Sequence, residues 1–229
     1  MAKQVGIIAC SIPGAALCYR ELCEHASSLM GRYNHPQVTL SSIPMAAYMP
    51  HFQPLNPPGL AKLLLQSMRL VAAAGAEFAI CPDNSCHLAY DEVMKQSPIP
   101  WLHIAKVTLA EAQRRGFHKL GVLGTRFTMQ NGLYERAAEG TGIEAIVPNG
   151  DDQKIVDDII FDELVHDLIT DTSRDRYVRI IEKLKSQGCD AVVLGCTEIP
   201  LLISEIDSPL PILDSTRLLA RAAVQRAIE

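Results

Sequence analysis

The sequence predicts an α/β protein, with parallel β-sheets and crossover helices arranged as two halves built alike. Three observations predict it. Short apolar runs alternate with helical patterns along all 229 residues, as in strand–helix–strand units of a parallel sheet. Helical stretches end at Gly75 and Gly188, where a left-handed residue closes a helix without steric cost. Landmarks of the first half also recur, in order, in the second.

Strands are predicted at residues 4–10, 38–43, 78–81, 101–104, 119–123, 144–147, 191–194 and 212–213, each a short apolar run bounded by turn residues. Helices lie between them, as over 60–74 and 176–187. Gly6-Ile7-Ile8 and Gly121-Val122-Leu123 are 115 residues apart, as are Tyr19 and Tyr134. Gly75 and Gly188 are 113 apart, and Pro98 and Pro100 precede Pro209 and Pro211 by 111. Ordered matches whose spacing drifts so little define an internal duplication. The expected lobes are residues 1–104, with segment 214–229 packing back on them, and 105–213.

The duplication lays GAEFAICPDNS (75–85) over GCDAVVLGCTE (188–198). Asp83 and Cys196 then occupy equivalent places, just past the carboxyl ends of equivalent strands, where open α/β sheets bind ligands. If the halves pack face to face about a pseudo-dyad, the two residues point at each other across a cleft. Cys81 and Cys86 have apolar counterparts, Leu194 and Ile199, and read as buried packing, the usual fate of free cysteine.

Composition limits the alternatives. A chain that is 48% hydrophobic can bury a real core. A net charge of −5 without a Lys/Arg cluster excludes a nucleic-acid surface. No segment approaches the roughly 20 apolar residues of a membrane span, and the start lacks the apolar length of a signal peptide, so a cytoplasmic protein is expected. The seven cysteines form no C-x-x-C pair and no histidine pair has zinc-site spacing, so no metal is expected. The odd count also argues against a disulfide framework.

Two ionisable groups on opposite sides of a small ligand suit inversion at a carbon. One removes a proton from one face while the other donates to the opposite face. A thiol suits this work because neighbouring dipoles lower its pKa. Amides after Asn84-Ser85 and Thr197-Glu198 could supply such dipoles and hold a carboxylate or enolate-like oxygen. An aspartate opposite a thiolate should hold its proton more tightly, so the pair would share one proton.

The residues at these positions resemble a known family. VLGCTEIP at 193–200 looks very like the C-terminal signature of the cofactor-independent aspartate/glutamate racemase superfamily. PDNSCH at 82–87 resembles its N-terminal signature, proline-cysteine-asparagine-threonine-alanine-histidine, and GTRFTM at 124–129 and Tyr19-Arg20 also fit. The resemblance implies two pseudo-symmetric three-layer lobes with the active site between them, a homodimer, no cofactor, and a small amino or carboxylic acid as ligand. It also implies that Cys196 is a catalytic thiol. The family's first catalytic cysteine falls on Asp83, and its turn after the first strand is Ile8-Ala9-Cys10-Ser11 here. Where aspartate-specific members place an arginine and a lysine, Gln53 and His166 are the nearest polar replacements.

The expected function is therefore racemisation or epimerisation of an amino acid, an acidic one by resemblance, with Cys196 and Asp83 as opposed bases. Ser11, Gln53, Asn84, Ser85, Thr125 and Thr197 are the expected substrate-binding residues, and His87, Glu198 and His166 the supporting ones. Ser11 and Thr125 also suit helix caps, although the 115-residue symmetry of the strands before them favours binding. His87 equally suits a helix-start histidine bonded to backbone, and Glu198 either orients the cysteine loop or pairs with solvent. Arg126 could reach the cleft, although exposed arginines are commoner. Asp151-Asp152 and Asp157-Asp158 read as a solvated face, and the proline-rich stretch 48–58 reads as a loop at the cleft mouth. The alternatives are a one-thiol decarboxylase or cis–trans isomerase of a small acid, and a small-acid-binding protein without catalysis.

Overall fold

The computed structural model describes residues 2–229. In chain order the elements are β1 (Val5–Ala9), α1 (Ile12–Met30), β2 (Val38–Ser42), α2 (Met45–Phe52), α3 (Pro57–Ala73), β3 (Phe78–Ile80), a 3-10 helix (Asn84–Ala89), α4 (Tyr90–Met94) and α5 (Ile104–Arg114). There follow β4 (Lys119–Leu123), α6 (Arg126–Gln130), α7 (Leu133–Ala138), β5 (Glu144–Ile146), α8 (Gly150–Asp162), a second 3-10 helix (Leu164–His166), α9 (Asp171–Ser186), β6 (Ala191–Leu194), α10 (Ile199–Leu202), β7 (Ile212–Asp214) and α11 (Ser215–Ile228). The chain divides into two compact units, Met1–Val107 with Thr216–Glu229, and Thr108–Ser215.

The first unit holds a parallel sheet in the order β2-β1-β3. Val5, Ile7, Phe78 and Ile80 pack against Cys18, Leu22 and Ala26 of α1 and Leu219, Ala223 and Val224 of α11. Alternate residues turn to the other face, because strand side chains have a period of two. There Gly6 meets α3: a Cβ on Gly6 would lie 2.6 Å from Val71 Cγ2. Helices on both faces make this a three-layer unit.

The second unit repeats the plan with the sheet β5-β4-β6-β7, again wholly parallel. Leu123, Val192, Leu194 and Ile212 pack with Val156 and Ile160 of α8 and Tyr177, Ile181 and Leu184 of α9. Gly121 takes the role of Gly6, since a Cβ there would lie 2.6 Å from Leu184 Cδ1. The register repeats too: Val5 pairs with Phe78, and Leu120 with Ala191, the offsets of 115 and 113 found in the sequence.

The two long helices end alike. Gly75 and Gly188 have φ of +102° and +88°, and Ala76 N–H reaches Val71 O (3.0 Å) as Cys189 N–H reaches Leu184 O (3.1 Å). This is the six-to-one bond of a Schellman motif, which satisfies orphaned helix carbonyls.

Three expectations are corrected. Of 101–104, only Trp101 joins the sheet, bridging Ala79 as β7 bridges β6; helix α5 takes over at Ile104, where the His103 ring accepts from the Lys106 amide (3.4 Å). Residues 48–52 are helix rather than loop, because Tyr48 and Phe52, one turn apart on α2, are both buried. The acidic residues do not form one solvated face. Asp151 and Asp158 are exposed, but Asp152 is buried against Lys183 Nζ (2.8 Å) and Asp157 is buried against Arg126.

Candidate active site

Two glycines shape the turn that presents Cys196. Gly195 N–H donates to Leu123 O at 2.6 Å. A Cβ on Gly195 would sit 2.9 Å from Leu123 O, and one on Gly124 2.9 Å from Gly195 O. Only glycine fits where the ends of β4 and β6 approach so closely. Cys196 follows at once, half-buried.

Its thiol donates to Glu198 Oε2 at 2.9 Å. The same oxygen accepts the Thr197 hydroxyl at 2.6 Å, and Glu198 is 3% exposed. A buried carboxylate must be hydrogen-bonded, and here the thiol supplies one of the bonds. Tyr177, fully buried, donates to Val156 O at 3.1 Å. Burial, then the negative charges of Cys196, Asp157, Glu163 and Glu198, hold its proton well above the usual phenol range.

At the end of β4, Thr125 occupies the N-cap position of α6 and is buried. Arg126 N–H donates to Asp157 Oδ1 at 2.7 Å, and its guanidinium lies 3.5 Å from Oδ2. Burial raises the Asp157 pKa, opposed by these bonds from Arg126.

In the first unit, Asp83 is held by the turn after β1. Its Oδ2 accepts from Cys10 N–H and its Oδ1 from Ser11 N–H, both at 3.1 Å. Ser11 caps α1, its Oγ accepting from Gly14 N–H at 3.2 Å. Asn84 (buried) and Ser85 (half-buried) open the 3-10 helix beyond Asp83. His87 does not join this pair. Its Nε2 donates to Cys81 O at 3.0 Å, and its ring packs on Trp101 and His103, with centroids 4.4 and 5.0 Å away. Burial, then the charge of His103, pushes its pKa well below the usual histidine value.

Cys81 and Cys86 are fully buried, and hydrogen bonds link Cys86 to Cys10 and Cys81. Those bonds and burial raise the Cys86 pKa, so this thiol stays protonated. Tyr48, which the sequence did not mark as a site residue, buries its hydroxyl beside these three thiols and Asp83 with no hydrogen-bond partner among the described residues. An aromatic at i−4 to Phe52 gives only a packing signal, so nothing in the sequence separated it from core. Gln53 and His166 are exposed and lie outside both hydrogen-bonded groups. Among the described residues, no cluster of three or more His, Cys, Asp or Glu is arranged to hold a metal ion, and no helix is long and apolar enough to cross a membrane.

The fold defines a class first: a duplicated, wholly parallel α/β protein with ionisable groups at the carboxyl edges of equivalent strands. Within that class the chain belongs to the Asp/Glu/Hydantoin racemase family, which it matches over residues 7–223, and so to the isomerases. It is 24% identical over 89% of its length, and 87% of the relative's, to the broad specificity amino-acid racemase RacX of Bacillus subtilis. Among solved structures, a Yersinia pestis chain described as a candidate Asp/Glu racemase superposes with a TM-score of 0.89 at 33% identity, covering 99% of this chain and 100% of that one. An aspartate racemase homologue from Pyrococcus horikoshii gives 0.84 at 30% identity, covering both chains completely.

Proposed function

We propose that this protein is an amino-acid racemase or epimerase that moves the Cα proton with Cys196 and Asp83. The observation that carries the reading is the Cys196–Glu198 hydrogen bond, which gives the thiol a built-in proton acceptor. Glu198 takes the thiol proton and Cys196, as thiolate, removes the Cα proton. Asp83, protonated, returns a proton to the other face. In the reverse direction the Asp83 carboxylate abstracts and the Cys196 thiol donates. Inversion requires a proton donor and an acceptor working on opposite faces of Cα, and similarity over 89% of the chain to a broad specificity amino-acid racemase supports the assignment.

The amides at the start of α10 and of the 3-10 helix after Asp83 are suited to the substrate carboxylate and to the charge that develops on it. Thr197, Asn84 and Ser85 lie at those turns, and Thr125 stands at the N-cap of α6, after β4. The family resemblance points to an acidic amino acid as substrate.

A second reading has its own support. Both Asp83 oxygens are engaged by backbone amides, as expected of a group that braces the turn after β1. Cys196 would then act without a partner base. Deuterium incorporation at Cα from heavy water, for each enantiomer of a panel of amino acids, tests the proposal. Absence of exchange with every amino acid removes it.

A further inference from the structure

Resting on the racemase reading, in which Asp83 gains and loses a proton, we infer that Tyr48 is a positioning residue: its hydroxyl hydrogen-bonds the Asp83 carboxyl during turnover. The packing of α2 does not require a hydroxyl at this position, where phenylalanine would fill the same core.

Strand register brings Tyr48 to this place. β2 pairs with β1 as far as Ser42 on Ala9, and Ile43 N–H then donates to Ala9 O at 3.3 Å. Pro44 precedes α2, so the helix begins just past the carboxyl edge of the sheet. One residue beyond Ala9, Cys10 N–H holds Asp83 Oδ2 at 3.1 Å. Helix α2 turns Tyr48 and Phe52 inward, and both are buried. Near the Tyr48 hydroxyl stand Cys10 from the turn after β1, Cys81 from the end of β3, Cys86 from the 3-10 helix, and Asp83. Burial, then these four groups, with Cys86 foremost and Asp83 last, hold the phenol proton well above its usual range. The hydroxyl is therefore neutral, able both to donate and to accept.

A buried tyrosine hydroxyl ordinarily has a partner. Tyr177 donates to Val156 O and Tyr90 to Trp101 O, but the Tyr48 hydroxyl has none among the described residues. An unpaired buried hydroxyl costs stability, and phenylalanine would escape that cost. A local cost of this kind is expected where a group is kept for function. Of the neighbours, the thiols are weak hydrogen-bonding groups, and Asp83 is the one whose protonation changes in the reaction. The amides of Cys10 and Ser11 only donate, so they stabilise the carboxylate form of Asp83. The Tyr48 hydroxyl serves both forms, donating to the carboxylate and accepting from the acid. It acts through Asp83 without touching substrate.

The test follows Cα deuteration of each enantiomer by Tyr48→Phe across pH, beside its thermal unfolding. For the enantiomer whose exchange Asp83→Asn loses, kcat should fall about tenfold, the scale of one hydrogen bond to a charged group, with KM nearly unchanged. The acidic limb of that profile should move to higher pH, because losing a donor to the carboxylate favours the acid form. The unfolding midpoint should stay or rise, since no hydrogen bond of the resting protein is removed. Exchange of both enantiomers at wild-type rates, with an unshifted limb, overturns the inference while the racemase reading stands. An equal loss for both enantiomers with a lowered midpoint also overturns it, because Tyr48 then serves packing. If wild type exchanges no amino acid, both fall. A second arm adds Tyr48→Phe to Asp83→Asn and reads the enantiomer that Asp83→Asn still exchanges. That rate should fall no further, since a residue acting through Asp83 has nothing left to act on. A further fall shows that Tyr48 acts elsewhere and overturns the inference.

Discussion

The Cys196 thiol donates to Glu198 Oε2 across 2.9 Å, and that oxygen also accepts the Thr197 hydroxyl at 2.6 Å. Because Glu198 is buried, its carboxylate is turned toward the thiol rather than toward solvent. In the proposed function, thiol and acid act as one proton-holding unit. Glu198→Gln keeps the shape and removes the proton acceptor. Cα exchange should fall by about 10²-fold, the lower end for loss of a positioned acid–base group, with a changed pH profile. Thermal unfolding should move little.

His87 should make stability depend on pH. Its folded pKa is depressed by burial, then by His103, so the native ring stays neutral where the unfolded ring takes up a proton. The unfolded state then binds more protons, and stability rises with pH through that window. It should be complete above the ordinary value of 6.5 and be lost as pH falls from there toward the depressed folded value. Urea denaturation at neutral and mildly acidic pH should show a steeper loss for wild type than for His87→Phe. Parallel losses would contradict this account.

The strand glycines should be intolerant. A Cβ on Gly6 would lie 2.6 Å from Val71 Cγ2 and 3.2 Å from Ala76 Cβ, neither of them the end of a flexible chain. Gly6→Ala should cost about 1–3 kcal/mol, as overpacking usually does. Val71→Ala, in the double variant, should recover part of that cost, because neighbours that touch are coupled. Simple additivity of the two substitutions would show that Val71 does not limit the space.

Much of this architecture was legible in the sequence. Gly6 and Gly121, Gly75 and Gly188 carry the duplication because each answers a demand of the backbone: close helix approach in the first pair, positive φ in the second. Local chemistry of that kind shows in residue type. What was not legible depends on partners distant in the chain. The bonds from Cys10 and Ser11 to Asp83 span 73 and 72 residues and exist only through the register of β1 on β3. Asp157 read as solvated because its partner, Arg126, lies 31 residues away. Tyr48 read as part of a proline-rich loop because Pro50 masks the short helix α2. Glu198 was the exception: it lies two residues from Cys196, so orienting the cysteine loop was within reach of the sequence, beside the alternative of pairing with solvent.

The most direct test follows each enantiomer separately. The amino acid that wild type exchanges fastest is incubated in heavy water as pure L and as pure D, with wild type, Cys196→Ser, Asp83→Asn and Asp83→Cys, and Cα deuteration is read by proton NMR. Wild type should deuterate both enantiomers. Cys196→Ser should lose exchange from one, Asp83→Asn from the other, and Asp83→Cys should retain both. If Asp83→Asn deuterates both enantiomers at the wild-type rate, Asp83 only braces the turn after β1, and the two-base account is wrong.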